Sequence, residues 1–109
     1  MNQNASEKGQ KRPQDPEKFI ISGQIVEKAF YKKNGEPAGF NELYFRASIQ
    51  DYFIKFCESN IDKDAISPYI DQSITVHAEI KDGEWDTCPD DPAEMQSRIG
   101  PYMVINAIK

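Results

Sequence analysis

ELYFRASIQDYFIKFCE, residues 42–58, decides how the rest of the chain is read, because apolar side chains are densest there and no Gly, Pro or Asn interrupts it. Its first half alternates. Leu43, Phe45, Ala47 and Ile49 fall on one face, and Glu42, Tyr44, Arg46, Ser48 and Gln50 fall on the other, the period of two of a half-buried strand. Its second half, residues 52–57, is nearly all apolar and reads as a strand covered on both sides. A helical stripe through Phe45, Ile49, Phe53 and Phe56 can also be drawn. The β-branched and aromatic content favours strands over that helix.

Outward from this stretch the chain punctuates itself. Residues 19–31, FIISGQIVEKAFY, fit two alternating registers, Ile21, Gly23, Ile25, Ala29 and Tyr31 or Ile20, Val26 and Phe30. A long strand that changes phase at Ser22-Gly23 accounts for both, since glycine permits the bulge or bend that lets one strand serve two parts of a curled sheet. Asn34-Gly35 then supplies a hairpin turn, and a second strand starts near Phe40. After Glu58, the residues Ile61, Ala65, Ile66, Tyr69 and Ile70 recur at helical spacing, with Ser59 or Asn60 as N-cap and Pro68 keeping the helix short. Alternation returns at residues 73–81, with Ile74, Val76, Ala78 and Ile80 inward, and Asp82-Gly83 is expected to close that strand. Residues 84–101 form a long irregular connection in which 92–97 suit one helical turn, and 102–108 read as a last strand.

Composition bounds the function. The chain has 109 residues and a formal charge of −5, room for one domain with an acidic surface. Residues 1–17 are polar, with only Met1 and Ala5 apolar, and are expected to be a disordered tail before a domain at 18–109. Such a tail suits an ordinary terminus or the spacer of an exported or lipid-anchored protein whose signal has been removed. Periplasmic or envelope-anchored and cytoplasmic locations therefore both stay open. No apolar run reaches the length of a transmembrane helix. Excess negative charge disfavours nucleic acid, whose binding rests on cation contacts with phosphate, and suits a basic protein or a small ligand in a local pocket better, with protein the favoured partner class.

The element order is a long bent strand, a hairpin to strand two, strand three, a short helix, strand four, an irregular loop and strand five. In that order, in the Gly23 bend and in the ITVHAEI strand ending in DGEWD, the chain resembles the OB-fold, an all-β, five-stranded barrel with a helix between strands three and four. The segment FIKFCES before the helix is similar to small bacterial envelope proteins of this fold. The resemblance implies a ligand surface on the outer side of strands two and three and the loops beside it.

On that surface Tyr44 and Arg46 are candidates, and Phe53 and Lys55 join them if strand three keeps phase. Aromatic and cationic groups side by side are what base stacking and phosphate contact require, which makes single-stranded nucleic acid the alternative partner. The bland account is that Tyr44 and Phe53 are a cross-strand pair that stabilises the sheet. Trp85 either plugs the open end of the barrel or serves as a binding anchor. Arg98, amid carboxylates, is a charge partner or an anion receptor. Glu84, Asp86, Asp90, Asp91 and Glu94 do not follow the calcium-loop spacing, so no metal or cofactor is expected. With a single histidine, His77, and no nucleophile motif, no enzyme is expected. Cys57 and Cys88 fit either a disulfide or two reduced thiols, and are expected near one another because one ends strand three and the other follows strand four.

Overall fold

The computed structural model describes residues 19–88 and 97–109. The expected tail, 1–17, and residues 92–96 of the expected helical turn lie outside the described residues. The strands are β1 (Ile20–Tyr31), β2 (Pro37–Ala47), β3 (Gln50–Ile54), β4 (Ser73–Glu84) and β5 (Ile99–Ile108). A 3-10 turn at Phe56–Glu58 follows β3, and the helix α1 (Lys63–Ile66) runs on into a 3-10 turn at Ser67–Tyr69 before β4. The five strands form one sheet in the order β1-β2-β3-β5-β4, and β4 pairs back onto β1, so the sheet closes into a ring. Every seam is antiparallel except β3 with β5. No described helix is long and apolar enough to cross a membrane.

The first strand is shared between β4 and β2, but without the change of phase expected at Ser22-Gly23: neither pairing shifts register there, and Ile21 and Ile25 stay on the inner face. Residues from Ile20 to Gln24 pair with β4, and residues from Gln24 to Tyr31 pair with β2. At the handover Gly23 lies so close to β2 that a Cβ there would overlap the carbonyl oxygen of Arg46 and the ring of Phe45. Only glycine permits that approach.

The central stretch is a hairpin, which excludes the helical stripe. β2 ends at Ala47, and β3 begins at Gln50 across a two-residue turn in which Ser48 has φ 61°. Ile49, expected on the inner face, sits on this turn and is 99% exposed. Its neighbours keep the alternation: Leu43 and Phe45 are buried and Arg46 is exposed.

Inside the ring Ile25, Leu43, Phe45, Ile54, Val76, Ala78, Met103 and Ile105 pack together, and Ile66 of α1 joins them. Burying such side chains is the main stabilising term, about 1.5–3 kcal/mol for each large one. The N-cap of α1 is Asp62, whose Oδ1 accepts from the Ala65 N–H at 3.0 Å, rather than Ser59 or Asn60. Pro68 ends the α-helix as expected, standing in the first turn of the 3-10 segment, where its missing N–H costs nothing. β4 does not stop at Asp82-Gly83. The strand runs through both, paired with Pro101 and Gly100, because β5 continues alongside it. Cys57 and Cys88 are joined by a disulfide with their α-carbons 6.0 Å apart, tying the turn after β3 to the loop after β4.

Candidate functional site

Alternation puts Tyr44 of β2 directly across from Phe53 of β3, and the two rings meet edge to face at 5.7 Å. Phe53 thus faces the side expected of it. It is not free, however, being 6% exposed, because Trp85 packs on it at 5.1 Å and Phe30 of β1 at 6.0 Å. Phe30 in turn stacks on Phe40 of β2, with centroids 5.4 Å apart and planes 13° from parallel, and meets Trp85 edge-on at 6.1 Å. Five aromatic rings from β1, β2, β3 and the residue after β4 therefore form one outer cluster, separate from the cluster inside the ring. Trp85 belongs to this outer group and does not plug the interior. Gly100 of β5 leaves room for it: a Cβ there would stand 3.3 Å from the indole.

Phe30 and Phe40 are the members that sequence reading missed. Phe30 was visible in the second register of β1, but its partner could be found only from the β1–β2 pairing, whose register shifts between Ala29 and Tyr31. Phe40 stays 38% exposed and, with Ala29, Phe30, Pro37, Gly39 and Asn41, lines a shallow hollow of ≈ 260 Å³. Gly39 has φ +95°, a left-handed conformation that glycine takes without steric cost.

The cations beside these rings are held by carboxylates. Arg98 lies over Trp85, 4.5 Å from its centroid, and over Phe30 at 5.3 Å. Asp86, only 1% exposed, accepts from the Arg98 backbone N–H at 2.8 Å and from its Nε at 2.6 Å. Arg98 is thus a charge partner. Arg46 donates twice to Asp51, at 2.7 and 3.0 Å, and Lys28 donates to the same carboxylate at 2.8 Å while its ammonium stands 4.5 Å over the Tyr44 ring. The hydrogen bond from Arg46, reinforced by Lys28, holds the Asp51 carboxyl down at about 2. Burial, with the Glu42 carboxylate beside it, pushes the Tyr44 phenol up to about 12.

Lys55 is not on this face as a ligand group. It is 5% exposed, and its Nζ donates to the Glu84 carbonyl at 2.6 Å, pairs with Glu58 at 3.0 Å and lies 4.8 Å over the Tyr102 ring. Burial would raise the Glu58 carboxyl, but Lys55 and the Tyr102 hydroxyl outweigh it and leave it lowered. The lysine acts as a bracket. It pins the end of β4, and so the base of Trp85, to the turn after β3.

Of the acidic loop, Asp86 is occupied at both oxygens by Arg98, Glu84 is exposed at the end of β4, and Asp90, Asp91 and Glu94 lie outside the described residues. His77 is half-buried in the β4 ladder opposite Ile20 and Ala107. No family model matches the chain, and comparison with curated proteins and with solved structures finds no match.

Proposed function

We propose that the chain is an OB-like β-barrel that serves as a non-catalytic binding module for a protein partner, through the aromatic outer face of β1, β2 and β3 and Trp85. The ring order, the shared first strand and the helix between β3 and β4 support the OB-like reading. One observation carries the choice of partner: the face offers aromatic surface without free cations, since Asp51 holds Arg46 and Lys28 and Asp86 holds Arg98. A polyanion would have to displace those carboxylates, against a described domain that is already acidic. An apolar side chain needs no such exchange, and the hollow beside Phe40 suits one. The Cys57–Cys88 disulfide supports an oxidising compartment, in keeping with a place in the bacterial cell envelope.

The test uses the single Trp. Peptides selected from a random display library are titrated against Trp85 fluorescence, alongside a mixed-sequence single-stranded oligonucleotide of about twenty nucleotides. Selected peptides are expected to shift the emission and to lose at least tenfold in affinity with Phe40→Ala. The oligonucleotide is expected to bind weakly at physiological salt. Submicromolar oligonucleotide binding that falls steeply with salt, and disappears in Tyr44→Ala or Arg46→Ala, would reverse the assignment to single-stranded nucleic acid.

A further inference from the structure

Beyond Ile25, the side of β1 away from β2 has no backbone neighbour among the described residues. In a strand each residue sends its N–H and C=O to the same side, and successive residues alternate sides. The phase is fixed at both ends of this segment. On the side away from β2, the Ile25 N–H donates to the Gln72 carbonyl at 3.2 Å and its carbonyl accepts from Asp71 at 2.6 Å. On the side of β2, the Lys32 N–H donates to Glu36 at 2.8 Å and its carbonyl accepts from Gly35 at 2.9 Å. Glu27, Ala29 and Tyr31 therefore direct their N–H and C=O groups away from β2, and no described residue bonds to them. All three residues are exposed, and none is proline.

We propose that this edge pairs with the same edge of a second copy of the chain, antiparallel about a two-fold axis at Ala29. Charge admits a second copy and, together with the length of the strand, selects the register. Two copies centred on Glu27 would oppose carboxylate to carboxylate; centred on Lys28, ammonium to ammonium; and centred on Phe30, Lys28 to Lys32. Like charges directly opposite destabilise a ladder. Centring on Ala29 or on Tyr31 removes every such pair, but a two-fold at Tyr31 would set Ala29 and Glu27 against Lys33 and Gly35, beyond the end of β1. With the axis at Ala29, Ala29 faces Ala29, Lys28 faces Phe30 and Glu27 faces Tyr31, whose hydroxyl is a donor matched to that carboxylate. All the free groups of Glu27, Ala29 and Tyr31 are used on both copies. Lys28 does not guard the edge in the way edge lysines do, because its ammonium is held by Asp51 at 2.8 Å. The net negative charge of each copy is screened beyond about 8 Å at physiological salt.

The experiment is sedimentation velocity on the full chain across roughly three decades of concentration. The mass is expected to rise from 12.5 kDa toward twice that value. Ala29→Pro should stay at the monomer mass throughout with an unchanged circular dichroism spectrum, since proline there removes only an outward N–H. In the concentrated wild-type sample amide exchange should slow at Glu27, Ala29 and Tyr31. A mixture of labelled and unlabelled chains should show an Overhauser contact between the Lys28 Hα of one copy and the Phe30 Hα of the other. If Ala29→Pro does not fold, the exchange pattern and that contact decide. A wild type that stays at 12.5 kDa overturns the proposal, as does dimerisation unaffected in a folded Ala29→Pro, or a dimer without slowed exchange at these three amides. A monomer whose edge takes up a selected peptide would give the edge to a foreign strand and equally end the second-copy assignment.

Discussion

Arg98 is clamped between charge and ring: Asp86 holds its Nε at 2.6 Å, and its guanidinium carbon stands 4.5 Å from the centroid of Trp85. Asp86 is the more deeply buried partner, so Asp86→Ala leaves a cation without its counter-charge beside apolar rings. The expected loss is about 3 kcal/mol, the low end of the range for removing one member of a buried pair, because Arg98 is partly exposed. Urea denaturation followed by Trp85 emission measures it, and the emission of the folded variant should shift as well. A loss within a few tenths of a kcal/mol would show that stacking alone positions Arg98.

Gly23→Ala inverts the usual effect of that substitution. In a strand interior alanine normally stabilises by about 0.5–1 kcal/mol relative to glycine. Here its methyl group would overlap the Arg46 carbonyl and the Phe45 ring, both in the packed seam between β1 and β2. Destabilisation at the upper end of about 1–3 kcal/mol is expected, read as a lowered midpoint in a thermal melt.

Phe45 and Tyr44 are neighbours on opposite faces, and their truncations should differ. Phe45 is fully buried inside the ring, so Phe45→Ala should cost about 3–5 kcal/mol. Tyr44→Ala gives up one edge-to-face pair, worth about 0.5–1.5 kcal/mol beyond the area it covers, from a half-buried site. Equal losses in chemical denaturation would contradict the alternation in β2.

That alternation was legible because β2 and β4 each bury one face, so a period of two is written into the residues 43–47 and 74–78. The shared first strand was legible because glycine at position 23 has no competitor for the close approach. The turn at Ser48-Ile49 was not. Turn residues announce themselves when backbone conformation demands glycine or asparagine, and here a serine takes the left-handed position while an isoleucine stands in solvent. The outer cluster was half legible. Tyr44 and Phe53 follow from strand register, whereas Phe30, Phe40 and Trp85 meet through a shifted hairpin and a loop that no local pattern encodes. Lys55 was misleading for a different reason. A lysine on a strand normally signals solvent, and this one is buried because a carbonyl and a carboxylate wait for it.

Replacing both cysteines by serine opens a loop spanning 31 positions. The chain-entropy model gives a loss of about 3–4 kcal/mol. The same loss should appear in the wild type on adding a dithiol reductant, and reductant should have no effect on the double variant. Unequal effects of reduction and replacement would locate part of the cost in the serine hydroxyl, since Cys88 is buried.

Asp51 sets an acid limb. Its carboxyl titrates at about 2 in the folded protein, below its ordinary value of 3.8. A group whose folded value is depressed contributes stability in full above its unfolded value and loses that contribution as pH falls through the folded one. Stability should therefore fall between roughly pH 4 and pH 2. Asp51→Asn should remove that part of the fall, with carboxyl carbon shifts in an NMR titration giving the site value directly. A wild-type Asp51 that titrates near 4 would mean that Arg46 and Lys28 do not hold it in solution.

Among the described residues, the only parallel seam between strands joins β3 to β5, opposing Phe53 to Tyr102, positions 49 apart in the chain. Everything before it can be laid down in order: the β1–β2 and β2–β3 hairpins are local, and β4 returns to a β1 already made. The seam cannot. A nascent chain leaving the ribosome holds two strands, β3 and β4, each with one open edge, until residues 99–108 emerge to bridge both at once. Long-range pairing of this kind delays folding and leaves strand edges open to other chains meanwhile. The last strand thus acts as a latch, and production of the protein at high concentration should be most vulnerable in the interval before it arrives.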